Sequence, residues 1–198
     1  MTELGFLALK SKILQMLTAG LDPRLTYHNR HHTEDVLENA ERIAAAEAIS
    51  DSRLLMLIKI AALFHDTGFL NGYAGHEEGS CRIMLDTLDP ELFIADELGL
   101  IADMIMATKM PQSPLRVQER ILCDADLDYL GRDDFPVINN RLKNEWLLLG
   151  LLDHEEQWNE IQVQFLNNHH YFTNSSIHNR TPGKIKHLES LKMKLNKV

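Results

Sequence analysis

The chain carries ten histidines among 198 residues, and they are unevenly placed. Three of them fall within Tyr27-His28-Asn29-Arg30-His31-His32, and another stands beside an acid at His65-Asp66. Further along, three aspartates crowd into Asp124-Ala125-Asp126-Leu127-Asp128. Imidazole nitrogen and carboxylate oxygen in one site suit a divalent first-row metal such as Mn, Fe, Co, Ni or Zn. Two imidazoles and two carboxylates would leave positions open for water, as in a catalytic rather than a structural ion site. Adjacent residues on a helix point about 100° apart, so His65 and Asp66 can reach one ion only where a helix ends. Gly68 and Gly72 let the chain turn away there. Taken alone, the dipeptide is explained equally well by a buried, metal-free His–Asp hydrogen bond.

The three aspartates sort by their helical neighbours at i−4, i+3 and i+4. Asp126 has Leu122, Tyr129 and Leu130 around it, an apolar setting in which an ionised carboxylate is costly unless paired or metal-bound. Asp124 has Arg120, Leu127 and Asp128, and Asp128 has Asp124, Gly131 and Arg132. Asp126 is thus the carboxylate that needs a cation, and Asp124 and Asp128 are expected to be solvated.

These residues must be positioned by helices, because apolar residues recur at helical spacing almost throughout and strand-like alternation is nearly absent. Helices are expected up to Gly20, from the His31 region to Ile49, from Leu54 to His65, from His76 to Leu88, and from Leu98 to Met110-Pro111. Others follow from Val117 to Gly131, from Val137 to Leu149 and from Trp158 to Tyr171. Thr181-Pro182 reads as an N-cap and first-turn proline opening the last one. About eight or nine helices with short connections make an all-α bundle, a single domain over residues 1–198. The tail from Arg180 carries six Lys and Arg against Glu189 and reads as a solvated helix face. Leu147-Leu148-Leu149 and the last helix could be core or the surface of a homodimer.

Twenty Lys and Arg against 29 Asp and Glu leave a net charge of −9, which repels nucleic-acid backbones. A nucleic-acid polymer is therefore not expected as a partner, and any phosphorylated ligand needs help from a cation. Leu54 to Phe64, the most apolar stretch, is interrupted by Lys59 and is too short to span a bilayer, so no membrane partner is expected. The start lacks the basic region of a signal peptide, and the two cysteines form no disulfide framework. A cytoplasmic setting follows.

The order Tyr27-His28-Asn29-x-x-His32-x-x-Asp35-Val36, then His65-Asp66, then Ala125-Asp126-Leu127, resembles the HD superfamily of metal-dependent phosphohydrolases. The first segment is similar to the YHNxxH signature of cyclic-nucleotide phosphodiesterase catalytic domains. His76-Glu77-Glu78-Gly79-Ser80, Ala107-Thr108-Lys109 and the run from Ala125 to Gly131 look like small bacterial members. The likeness covers about residues 25 to 135, and helices over about 137–196 would pack on that core.

The resemblance implies an HD-domain helical bundle with metal ligands His32, His65, Asp66 and Asp126. His31 competes for the first position, but the family ligand stands four residues after the first His of the signature, which is His32. It also implies one divalent ion, or two with Asp66 bridging, drawn from Mn, Fe, Co, Ni, Zn or Mg. His28 matches the position of the general acid, with Asn29 and Tyr27 shaping the pocket. Asp66 would orient the attacking water. His76 and Glu77 could supply a second-metal ligand or an acid/base group, and Lys109 could contact phosphate. The implied reaction is hydrolysis of a phosphomonoester or phosphodiester of a nucleotide or related small molecule. The purine-gripping glutamine and apolar clamp of the large phosphodiesterases have no counterpart visible by spacing, although Gln162, Gln164 and Phe165 are present. A non-catalytic metal- or nucleotide-binding regulatory domain is the competing expectation. HD-type di-iron oxygenase chemistry would need further mid-domain histidines, for which only His76 is placed.

Overall fold

The computed structural model describes residues 1–195, and the end of the expected 137–196 segment lies just outside that range. The order is α1 (Glu3–Gly20), α2 (Arg30–Ala46), α3 (Ser52–Phe64), α4 (His76–Thr87), α5 (Ala95–Ala107), α6 (Val117–Asp126), α7 (Phe135–Leu149), α8 (Gln157–Asn168) and α9 (Asn174–Leu195). Short 3-10 turns at Thr67–Leu70 and Asp128–Gly131 follow α3 and α6. The architecture is an all-α bundle, with no strand among the described residues. Among them, too, no helix is long and apolar enough to cross a membrane.

The N-termini are set by side chains that satisfy orphan backbone donors. Thr2 Oγ1 accepts from Gly5 N at 3.2 Å, Asn29 Oδ1 from His31 N at 2.9 Å, and Asp51 Oδ1 from Arg53 N at 2.8 Å. α2 stops at Ala46 rather than Ile49, and Ala48 takes a left-handed φ of 58° as the chain leaves it.

Two apolar clusters organise the bundle. The larger, including Ile13, Ile43, Ile58, Phe64, Met104 and Leu122, is built from α1 to α6. The smaller gathers Tyr27, Leu130, Phe135, Leu166, Tyr171 and Leu191 from the α1–α2 connection and the C-terminal helices. Buried polar groups tie the two halves, and they overturn the expectation that Asp124 and Asp128 are solvated. Both are 0 % exposed. Asp124 accepts from Phe172 N at 2.9 Å, Thr173 N at 2.8 Å and Thr173 Oγ1 at 2.6 Å. Asp128 Oδ1 accepts from Arg42 at 2.7 Å and from Arg180 at 2.8 Å. Hydrogen bonding of this kind is what allows a carboxylate to be buried.

The same corner corrects the start of the last helix. Thr173, not Thr181, opens it: Thr173 Oγ1 accepts from Ser176 N at 3.3 Å and its carbonyl from Ile177 N at 2.9 Å. Pro182 lies inside α9. The basic tail is not wholly solvated either, since Arg180 reaches Asp128 and buried Lys184 donates to the His169 carbonyl.

Two close backbone approaches demand glycine. A Cβ on Gly68 would lie 1.8 Å from the His76 carbonyl oxygen, so α4 can cross the 3-10 turn after Asp66 only there. Likewise a Cβ on Gly183 would lie 2.1 Å from the Gly131 oxygen, where α9 crosses the turn after α6.

Candidate metal centre and adjoining cavity

His32 stands in the first turn of α2, which Asn29 caps. His65 and Asp66 follow the end of α3, as the geometry of adjacent ligands requires, and Asp126 is the last residue of α6. The three elements bring four donor groups together. His32 Nε2 lies 3.3 Å from Asp66 Oδ2 and 3.2 Å from Asp126 Oδ1. His65 Nε2 lies 3.3 Å from Asp66 Oδ2 and 3.7 Å from Asp126 Oδ1. The two Nε2 atoms are 3.3 Å apart. His31, by contrast, projects into solvent with a side chain 82 % exposed.

The electrostatics of this cluster call for a cation. Burial opposes charge on His32, yet Asp126 and Asp66 outweigh it and lift the ring to about 9. His65 is raised well above its usual value by the same carboxylates, again against burial. Burial likewise disfavours the charged carboxylates, but the two rings hold Asp126 down to about 2 and Asp66 well below its usual range. Protons thus serve as the positive charge between the acids when no ion does. Asp66 Oδ2 is buried and completes no hydrogen bond despite its two near neighbours. His65 Nδ1 donates to the Ala62 carbonyl at 2.8 Å, which fixes the tautomer that turns a lone pair on Nε2 inward. His32, His65 and Asp66 offer donor atoms all within 4.8 Å of one another. Two imidazoles and an orphaned carboxylate oxygen fit a divalent ion, and Asp126 Oδ1 stands beside both rings.

The acids open into a cavity of about 440 Å³. His28 lines it, and its Nδ1 is held by Glu145, a fully buried acid on α7. The same carboxylate accepts from Tyr27 N at 2.8 Å and His28 N at 2.9 Å. Phe69 stacks on two histidine rings, with centroids 4.3 Å from His28 and 4.0 Å from His76. His76 Nδ1 donates to the Tyr73 carbonyl at 3.2 Å, and its Nε2 lies 3.6 Å from both Asp66 Oδ1 and Glu77 Oε1. His76 therefore meets the centre on its Asp66 side, and buried Glu77 meets His76.

Asn29 does not reach the cavity: it is committed to capping, its Nδ2 donating to the Thr26 carbonyl at 2.9 Å. Lys109 stands at the rim, but its ammonium is paired with Glu78. The far wall is apolar, formed by Leu142 and Trp146 of α7 and Ile161 and Phe165 of α8. Set into it is Gln162, 3 % exposed, whose Oε1 has no hydrogen-bond partner. Tyr73 closes one side, its hydroxyl accepting from Trp146 Nε1 at 3.1 Å.

Glu145 was not singled out by the sequence, because an acid just before Trp146-Leu147-Leu148-Leu149 reads as the polar face of an amphipathic helix. A lone acid at the edge of an apolar run was the one signal that could have found it. Gln162 and Phe165 line the cavity, whereas Gln164, one residue before Phe165, is not among the lining residues. A comparison of the chain with known protein families, curated proteins and solved structures finds no match in any of the three.

Proposed function

We propose that this chain is a metal-dependent phosphoester hydrolase of the HD type, acting on a small phosphorylated molecule such as a nucleotide. The observation that carries the reading is the convergence of His32, His65, Asp66 and Asp126 at the edge of a cavity into which a separate histidine, His28, is fixed. The charge in the cavity supports it. Asp66, Asp126 and Glu77 line the wall, and the lining lysine, Lys109, is neutralised by Glu78. A phosphoryl group would be repelled there without a bound cation.

His32, His65, Asp66 and Asp126 would hold the divalent ion, which would supply neutralisation of phosphoryl oxygens and acidification of water. The chain's own residues do the rest. Asp66, with Oδ1 turned toward His76, is placed to orient the attacking water. Glu145 engages His28 Nδ1, so Nε2 is the nitrogen left to give a proton to the leaving oxygen. His76 and Glu77 are placed to hold a second ion or pass a proton on the Asp66 side. Trp146, Ile161 and Phe165 would cover a flat ring, and the unpartnered Gln162 amide would hydrogen-bond its polar edge. Two free cysteines suit a cytoplasmic setting.

The test is phosphate or alcohol release from a panel of nucleoside monophosphates, cyclic nucleotides, nucleoside triphosphates and non-nucleotide phosphoesters. Each is assayed with Mn, Mg, Fe, Co, Ni and Zn. His65→Ala and Asp66→Ala are expected to lose bound metal and turnover together. Undiminished turnover in metal-stripped His65→Ala would refute the assignment.

A further inference from the structure

Tyr73 stands where two walls of the substrate cavity meet. It is half-buried in the connection between the turn after Asp66 and α4. Its hydroxyl reaches across to α7, where the oxygen accepts from Trp146 Nε1 at 3.1 Å. A phenol hydroxyl carries one proton to donate as well as lone pairs to accept with. Here the oxygen is engaged as an acceptor, and the O–H donates to no group among the described residues. Burial, then the Glu145 carboxylate, push the phenol above its ordinary value, so it keeps that proton through the neutral range.

The placement is built into the chain. Tyr73 falls between Gly72 and Gly75, whose φ angles of 138° and 68° lie where L side chains are rarely found. Its carbonyl is held by His76 Nδ1 at 3.2 Å. Its ring meets Phe69 edge to face, with centroids 5.1 Å apart, and His28 in the same manner at 5.8 Å. The hydroxyl is therefore held beside Trp146 of the apolar wall, on a ring that also touches His28. The Trp146 bond prepares it further, because a hydroxyl that accepts is polarised into a better donor.

Resting on the reading that a phosphoester's leaving group fills this cavity, we infer that Tyr73 determines specificity. Its O–H donates to an ether or hydroxyl oxygen carried by the leaving alcohol, between the ester bond and the apolar wall. Alcohols bearing such an oxygen are preferred to hydrocarbon ones of the same shape, since a polar group placed for a partner penalises the ligand that lacks one.

Two near-isosteric pairs test this, one without catalysis and one with it. In chelator, anisole and ethylbenzene are titrated by ligand-observed NMR into wild type, Tyr73→Phe and Trp146→Phe. Tyr73→Phe should raise the anisole midpoint about fivefold and leave ethylbenzene within about twofold. Trp146→Phe, which thins the wall but keeps the hydroxyl, should shift both by a like factor. With Mn, 2-methoxyphenyl and 2-ethylphenyl phosphate are then compared, and Tyr73→Phe should raise KM for the methoxy ester alone by a similar factor. No saturable anisole binding, an equal change for both members of a pair, or an anisole-selective loss in Trp146→Phe instead would overturn the inference. If wild type hydrolyses neither ester while Tyr73→Phe still weakens anisole alone, the hydrolase reading fails and the donor role of Tyr73 stands.

Discussion

Removing the Glu145 carboxylate tests the reading of the His28 site in two independent ways. Glu145 is 0 % exposed and receives three groups: Tyr27 N, His28 N and His28 Nδ1. Glu145→Ala strands the two backbone N–H groups and the ring nitrogen. An unsatisfied buried donor costs about 1–3 kcal/mol, so the loss should total about 3–5 kcal/mol in urea unfolding. Glu145→Gln keeps the shape and one acceptor oxygen, which can still take both backbone N–H groups. Only the bond to the ring changes, and about 1–2 kcal/mol should be lost. If Glu145 acts through His28, Glu145→Gln should nonetheless lower kcat on a chromogenic phosphodiester by about 10²-fold, within the range for a positioned acid. Bound metal should be unchanged. In a His28→Ala background the same substitution should cost little more, because residues that act as a unit are not additive. An equal penalty in both backgrounds, or an undiminished kcat in Glu145→Gln, would refute the argument.

Other perturbations follow from the same geometry. Gly68→Ala must push α4 away from the turn after Asp66, so a loss above about 3 kcal/mol is expected in thermal or urea unfolding. The exposed helical Gly99→Ala, whose Cβ meets nothing within 4 Å, should gain about 0.5–1 kcal/mol. Burial, then the nearby Lys184, depresses His169 to about 3, so the folded ring stays neutral where the unfolded one charges. Stability from this ring is complete above pH 6.5 and falls as pH drops toward 3. Urea midpoints at pH 7.5 and 5 should show a loss of up to about 2 kcal/mol that His169→Gln removes. Metal uptake must displace the protons held by His32 and His65. Calorimetry at pH 7.5 in two buffers of different ionisation enthalpy should therefore detect proton release, and affinity should rise with pH up to about 9, where His32 loses its proton.

The sequence pattern made most of the helices legible, because nearly every one buries an apolar stripe at 3.6-residue spacing. Spacing marked His65-Asp66 as a pair that needs a helix end and Asp126 as the carboxylate with apolar neighbours, whereas His32 was preferred to His31 only through the family resemblance. It failed where partners come from distant parts of the chain. Reading Asp124 and Asp128 against their own helix could not show Phe172, Thr173, Arg42 and Arg180 arriving from elsewhere. Thr181-Pro182 has the local chemistry of a helix start, but Thr173 is drawn into that role by the Asp124 carboxylate, and the helix runs through the proline. Glu145 was hidden for a similar reason, and spacing did not single out Gln162 from Gln164. Each is a polar residue at a buried position of its helix, Gln162 between Trp158 and Leu166 and Glu145 with Phe135 and Asn139.

The division of the interior into two apolar clusters has a consequence for how this molecule can change. α2, α3 and α6, which present the candidate ligands, draw their packing from the larger cluster, whereas Leu142 and Phe165 of the far wall pack on the smaller. Wall residues on α7 and α8 can therefore be exchanged at the expense of one core alone, leaving the ligand-bearing helices seated. On the proposed function, selectivity would be free to drift on this scaffold while the ligand set stays put, and a library confined to those two helices is where a retuned preference should be sought.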